Sequence, residues 1–256
     1  MVPLKSEFDL KMMRKAGSIL ARIIKRLQQH ITAGITTAYI DSLAQEFFSR
    51  EGVVSAFKGY RGYPAHICTS VNEEIVHGIP SQRVLMEGDI LSLDLGIKYE
   101  GYFSDAAVTL PIGSVGQQLE KLIEVTKKAL FLGIRQARVG NQLSDVSSAI
   151  QNYVEGNGFS VVRQFVGHGI GKNLHEEPEV PNFVQRYQQD LTLTDGMVLA
   201  IEPMVNMGGW EAEILDNGWT AVTIDRLPSA HFEHTVAITE KGPEILTQGE
   251  TEDAYA

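Results

Sequence analysis

Apolar residues fall at Leu10, Met13, Leu20, Ile23, Ile24 and Leu27 with lysines and arginines between them. That spacing predicts an amphipathic helix that opens on Asp9 as its N-cap. A second helix is predicted from Thr36 or Thr37 through Ile40, Leu43, Ala44 and Phe47, stopped by Gly52. Glycine, proline and aromatic residues crowd 58–64, and apolar runs at 67–71 and 90–95 read as strands. After Pro111 the order restarts. The helical period returns over 117–138 and 144–154, Gly156 to Gly158 closes the second of these, and strand-like runs follow at 161–166, 197–201 and 235–238. Two helix–helix–strand halves are therefore expected, about 1–111 and 117–249, joined by a turn over 111–116 rather than by a linker.

The halves also match in detail. Gly88-Asp89-Ile90-Leu91-Ser92-Leu93-Asp94 parallels Gly196-Met197-Val198-Leu199-Ala200-Ile201-Glu202, and Phe103-Ser104-Asp105 parallels His231-Phe232-Glu233. Matches this short arise by chance as readily as by duplication, so both readings stand at this point.

With 256 residues, 43% apolar and 21% charged, the composition is that of an ordinary globular protein. Lys plus Arg is 22 against 32 for Asp plus Glu, a net charge of −10, which argues against direct nucleic-acid readout. Cys68 is the single cysteine, which excludes intrachain disulfides and cysteine-based zinc sites. No apolar run is long enough to span a bilayer, and Lys11, Arg14 and Lys15 interrupt any signal-peptide core. A soluble, cytoplasmic protein with no membrane partner is expected. Seven cations precede residue 27, either as a solvated helix face or as a surface for an acidic partner. The small and acidic residues of 249–256 predict a tail.

The chemistry begins with acids on apolar strands. Side chains alternate along a strand, so Ser92, Asp94 and Gly96 share one face and Leu91, Leu93 and Leu95 the other. By the same rule Val198, Ala200 and Glu202 share a face, as do Asp105, Ala107 and Thr109, and Glu233, Thr235 and Ala237. Each carboxylate stands among mostly small neighbours and is backed by an apolar face. Taken singly, each could face solvent. Taken together they suggest a shared cavity, where four unpaired carboxylates would repel one another and need cations. Lys and Arg are sparse in these segments, which favours metal over ion pairs. His168 lies in Gly167-His168-Gly169-Ile170-Gly171, whose glycines would let the backbone approach an ion, although a turn histidine is the plainer reading. His175 heads His-Glu-Glu-Pro and His77 sits in Val-His-Gly-Ile-Pro, both loop positions. Phosphate-loop, zincin and nucleophile-elbow patterns are absent, which leaves metal-activated water as the leading chemistry.

Asp94 and Asp105 eleven residues apart, then Gly-His168-Gly-Ile-Gly, Ala-Ile-Glu202-Pro-Met and Phe-Glu233-His-Thr, resemble the methionine aminopeptidases, di-metal hydrolases of the pita-bread fold. The likeness runs from about Lys5 to Leu246, and Asn72-Glu-Glu-Ile-Val-His77-Gly-Ile-Pro80 is similar to this family rather than to its relatives. Length points to the short, bacterial-type class I form. The resemblance implies a mixed α/β (α+β) fold, with two pseudo-symmetric helix–helix–strand halves around a curved antiparallel sheet. It also implies one catalytic domain over 1–256 and favours duplication.

By that resemblance Asp94 chelates one of two divalent ions, Asp105 and Glu233 bridge both, and His168 and Glu202 complete the other shell. Such donors suit Mn²⁺, Fe²⁺ or Co²⁺, with Zn²⁺ also open. Glu202 is implied as proton shuttle, His175 as donor to the scissile carbonyl oxygen, and His77 as a contact to the peptide nitrogen beyond the scissile bond. Tyr60, Tyr63, Cys68 and Trp219 match the wall of the family's methionine pocket, although simple core packing suits Cys68 equally well. Three positions depart from family patterns: Leu174 where some members carry Phe, Phe57 where some carry a small residue, and His231 where many carry Gln. The implied activity removes N-terminal methionine from nascent proteins and peptides with a small second residue. A monomer is implied, with the ribosome surface as a further partner. The alternatives are an X-Pro peptidase of the same fold, whose members carry a further N-terminal domain, and a non-catalytic binding module, which would be expected to have lost ligands.

Overall fold

The computed structural model describes residues 2–184 and 190–249. Its first half runs α1 (Glu7–Gln28), α2 (Thr37–Glu51), β1 (Val54–Ser55), β2 (Cys68–Val71), β3 (Glu74–Val76), β4 (Ile90–Tyr99) and β5 (Tyr102–Pro111). The second begins with α3 (Gln117–Gln136), α4 (Leu143–Gly156), β6 (Ser160–Val161), β7 (Gly167–Gly169), β8 (Glu176–Val180) and β9 (Val198–Ile201). It ends with β10 (Met204–Asn206), β11 (Ala212–Ile214), β12 (Ala221–Thr223), β13 (Ser229–His231), β14 (Glu233–Thr239) and β15 (Gly242–Ile245). The predicted tail lies, beyond Gly249, outside the described residues. Among the described residues no helix is long and apolar enough to cross a membrane.

Two sequence expectations need correcting. The N-cap of α1 is Ser6, not Asp9: the Ser6 side chain accepts the Asp9 N–H, and the Asp9 carboxylate accepts the Ser6 N–H at 2.9 Å. This reciprocal capping box satisfies two backbone donors, whereas a cap at Asp9 would satisfy one. The run 161–166 is not one strand. Val161 pairs with Val205 of β10, while from Gly167 the chain pairs with β8 and β9, so the segment between changes sheets. By contrast, α2 is capped by Thr36 and stops at Gly52 in the left-handed conformation, as its sequence predicts.

The main sheet follows the order β1-β4-β5-β14-β9-β7-β8, with β2 also on β4 and β15 also on β14, and its pairings are antiparallel. The order is close to a palindrome about the β5–β14 seam. β4 and β5 of the first half face β14 and β9 of the second, and β2 flanks β4 as β7 flanks β9. Each half covers its own strands. Leu20, Ile23 and Leu27 of α1 and Ile40 and Phe47 of α2 pack on Leu91, Leu93 and Leu95. Leu122, Leu130 and Ile134 of α3 and Val146 and Ile150 of α4 pack on Leu199, Ile201, Val236 and Ile238. Val108 touches both clusters and closes the seam between them. Burying each of these side chains stabilises the fold by about 1.5–3 kcal/mol. The helices thus take one face of the sheet, which leaves the face with the acids open to a cavity.

Candidate metal centre and catalytic cavity

Strand register assembles the site. β14 lies between β5 and β9 and pairs Glu233 with Ala107 and Thr235 with Ala200. Ala107 pairs in turn with Asp94, and Asp94 with Cys68. One row across the sheet is therefore Cys68, Asp94, Ala107 and Glu233, and Glu202, one residue past the His234–Ile201 pair, extends it. A second row runs Gly96, Asp105, Thr235, Ala200 and His168. Thr235 Oγ1 joins it to β5, accepting the Asp105 N–H at 3.0 Å and donating to the Asp105 carbonyl at 2.8 Å. The rows are two residues apart on each strand and face the same way. Alanine, glycine and threonine separate the large side chains and leave space between the acids.

All the residues singled out for the site line one cavity of about 180 Å³. They are His77, His168, His175, Asp94, Asp105, Glu202 and Glu233 at its polar end, with Tyr60, Tyr63, Cys68 and Trp219 in its apolar wall. Clefts that take drug-sized ligands measure roughly 300–1,000 Å³, so this space suits a single side chain. Phe57 and Leu174, two of the departures, complete the wall, and Phe57 fits because residue 96, against its ring, is glycine. Trp219 meets Tyr63 edge-on at 5.0 Å between ring centroids, and His77 packs against Phe165 at 5.7 Å. A larger hollow of about 380 Å³, between α1 and α3 on the sheet's other face, is walled mainly by apolar side chains with two lysines, His234 and, of the four acids, Glu233 alone. The carboxylates do not converge there.

Among the described residues no lysine or arginine pairs with the acids of the polar end, and Arg61, also in the lining, acts on His175. Burial raises the carboxyl of Asp94 to about 7 and that of Glu202 to about 8. Burial, then the neighbouring acids, lifts Asp105 and Glu233 well above their ordinary values. Asp94 Oδ1, Asp105 Oδ1 and Glu233 Oε1 are buried and accept no hydrogen bond from the described residues. Buried acceptors left this way are costly unless a cation meets them. One ligand atom each from Asp105, His168 and Glu233 lie within 4.8 Å of one another. His168 Nδ1 stands 2.9 Å from the Gly169 carbonyl, which can only accept, so Nδ1 carries the proton and Nε2 keeps its lone pair. These donors fit a divalent metal ion.

Burial also keeps the imidazoles neutral. His168 is lowered to about 3 by burial and then by His175, and His77 to about 4 by burial and then by His231 and His175. His175 is lowered by burial and then by Arg61. Its Nδ1 lies 2.8 Å from the Tyr60 hydroxyl, and its ring centroid 4.2 Å from that of His168. His231, the third departure, is 1% exposed, with Nε2 3.5 Å from Glu202 Oε2.

Sequence reasoning misjudged one feature and missed two. His168 lies in strand β7, not a turn, and its flanking glycines serve neighbouring strands rather than an ion. A Cβ on Gly167 would stand 2.2 Å from the Ala200 carbonyl oxygen, and one on Gly169 2.2 Å from that of Glu177. Arg61 lines the cavity from a left-handed position (φ 49°), with only its place between Tyr60 and Gly62 to mark it. Asn182, fully buried, donates to the Glu202 carbonyl at 3.0 Å and had no signal in the sequence.

Residues 11–240 match the model of metallopeptidase family M24. Methionine aminopeptidase of Clostridium perfringens is 51% identical over 247 residues, which cover 96% of this chain and 99% of that one. Methionine aminopeptidase 1 of Bacillus subtilis is 48% identical over 97% of this chain and 100% of its own. The crystal structure of methionine aminopeptidase from Rickettsia prowazekii superimposes with a TM-score of 0.94 at 36% identity, covering 97% of this chain and 100% of that one. An Xaa-Pro dipeptidase from Bacillus anthracis shares the fold alone, with a TM-score of 0.78 at 21% identity, over 97% of this chain and 63% of that one.

Proposed function

The chain belongs to metallopeptidase family M24, and on that premise we propose that it removes the N-terminal methionine from nascent proteins and peptides. The observation that carries this reading is a cavity that joins buried, cation-seeking carboxylates to an aromatic-walled pocket of one-side-chain size. Asp94, Asp105, His168, Glu202 and Glu233 would hold two divalent ions, with Asp105, His168 and Glu233 grouped most closely. Donor chemistry favours Mn²⁺, Fe²⁺ or Co²⁺ and admits Zn²⁺. When bound, such ions supply Lewis acidity and a water nucleophile at neutral pH.

The chain's own groups do the rest. Glu202 takes a proton at its carboxylate and returns it to the leaving amine. The Tyr60 hydroxyl lies 2.8 Å from Nδ1 of the neutral His175, and as donor there it would leave the hydrogen on Nε2. His175 gives that hydrogen bond to the scissile carbonyl oxygen as negative charge builds there. His77 contacts the peptide nitrogen beyond the scissile bond, and its packing between Phe165 and Trp219 favours a small second residue. Tyr60, Tyr63, Cys68 and Trp219 receive the methionine side chain, whose thioether suits aromatic and soft walls. One chain supplies the whole cavity, so a monomer suffices.

Nascent chains place the activity in the cytoplasm and bring in the ribosome surface as a second partner. Arg14 is taken by Glu244, and Arg22 and Arg26 by Glu51, so Lys11 and Lys15, both exposed, are cations that α1 would use. The deciding experiment is anaerobic loading with Mn²⁺ or Fe²⁺ followed by cleavage of Met-Ala-Ser, Leu-Ala-Ser and Ala-Pro peptides. Methionine release from the first alone is expected. Cleavage of Ala-Pro would move the chain to the proline peptidases, and no cleavage with either ion would favour a binding module.

A further inference from the structure

Lys5 lies outside the cavity and has no place in the chemistry above, yet it is tied to the loop that carries His175. Its Nζ stands 2.6 Å from Glu176 Oε2, with the two side chains only 7% and 6% exposed. The other carboxylate oxygen of Glu176 accepts the Asn173 N–H at 3.0 Å, which closes the loop between them. The Lys5 side chain crosses Gly171 so closely that a Cβ there would lie 2.5 Å from Lys5 Cε. Lys5 is anchored in turn, because its backbone N–H donates to the Gly196 carbonyl at 2.7 Å, at the turn leading into β9. The residue next to Glu176 is His175, whose ring has the Tyr60 hydroxyl on one side and His168 on the other.

We propose that Lys5 is a positioning residue for the reaction, a buried clamp that holds the 171–176 loop through Glu176 and so sets the His175 ring. The proposal rests on the aminopeptidase reading, because His175 matters only if it meets the scissile carbonyl. A clamp of this kind acts on geometry at the reacting atoms and not on substrate affinity. Misplacement by about 1 Å costs on the order of 100-fold in rate.

The test uses the full-length, metal-loaded protein with Lys5→Met, Glu176→Gln and the double substitution, read on Met-Ala-Ser. Both single variants should lose roughly 10- to 100-fold in kcat with KM within about 2-fold of the parent. The double variant, which leaves no buried charge unpaired, should fold readily and lose no more than either single one. Histidine-ring ¹⁵N spectra of metal-free protein give a second readout, in which the His175 signals should shift or broaden in Lys5→Met. An unchanged kcat with a lowered melting temperature would make the pair purely structural and overturn the clamp. So would unchanged His175 signals, or losses that multiply in the double variant. If the parent itself releases no methionine, the functional reading fails, and the ring spectra still decide whether Lys5 holds His175.

Discussion

In the proposed reaction His175 has three requirements to meet: it must be neutral, carry its hydrogen on Nε2, and face the reacting carbonyl. Burial supplies the first, and the Tyr60 hydroxyl, 2.8 Å from Nδ1, would supply the second as donor. His175→Ala should leave the metal content found by elemental analysis unchanged and cut kcat by about 100- to 1,000-fold, the usual loss for one oxyanion donor. Unchanged turnover would remove His175 from the mechanism. Tyr60→Phe should have a smaller effect in the same direction, about 10-fold on kcat, because the ring remains in place and only its tautomer is freed. A Tyr60→Phe enzyme with full kcat and a raised KM would make Tyr60 a pocket wall only.

The turn that carries His77 is pressed against β2. The Thr69 N–H and the Tyr63 hydroxyl both donate to the Gly78 carbonyl, at 2.8 and 3.0 Å, and a Cβ on Gly78 would stand 2.3 Å from the Thr69 carbonyl oxygen. Gly78→Ala should therefore lower stability by about 1–3 kcal/mol in a denaturant titration, and push His77 out of line, with turnover falling as well. Helix α1 gives a pH prediction. Hydrogen bonds from Ser6 and then Tyr102 hold the Asp9 carboxyl well below its ordinary value of 3.8. A group depressed in the fold stabilises it above the unfolded-state value and loses that contribution as pH falls below it. The melting temperature should drop more steeply below pH 4 in the parent than in Tyr102→Phe, and parallel curves would refute the assignment. The helices themselves were legible in the sequence because burial sets their period. Caps and strand ends were less so: Asp9 read as the cap, whereas reciprocal bonding puts it at Ser6, and an apolar run such as 161–166 does not say which neighbours it will pair with.

Four acids on small-residue faces were readable from period-two alternation, whereas the histidines read singly as turn or loop residues and were marked only by the family resemblance. The register that turns these faces into two rows was not, because it depends on β14 sliding between β5 and β9, and no local pattern encodes that contact. Nor was Lys5, since its partner lies 171 residues away. The assembled rows have a thermodynamic cost: metal-free, they bury carboxylates that repel. Asp105→Asn should therefore melt at a higher temperature than the parent in excess chelator, yet gain less on addition of Mn²⁺, because binding to the native state stabilises in proportion to affinity. Full metal occupancy in that variant would remove Asp105 from the proposed ligand set. The seam has a further consequence for the life of the chain. Glu233 enters the first row from the last long strand, so while the protein is being synthesised no ribosome-bound intermediate shorter than residue 233 holds a complete set of acids. The set is complete only once β14 has joined β5 and β9: a chain cut between residues 203 and 232 would carry Asp94, Asp105 and Glu202 and still lack the fourth acid.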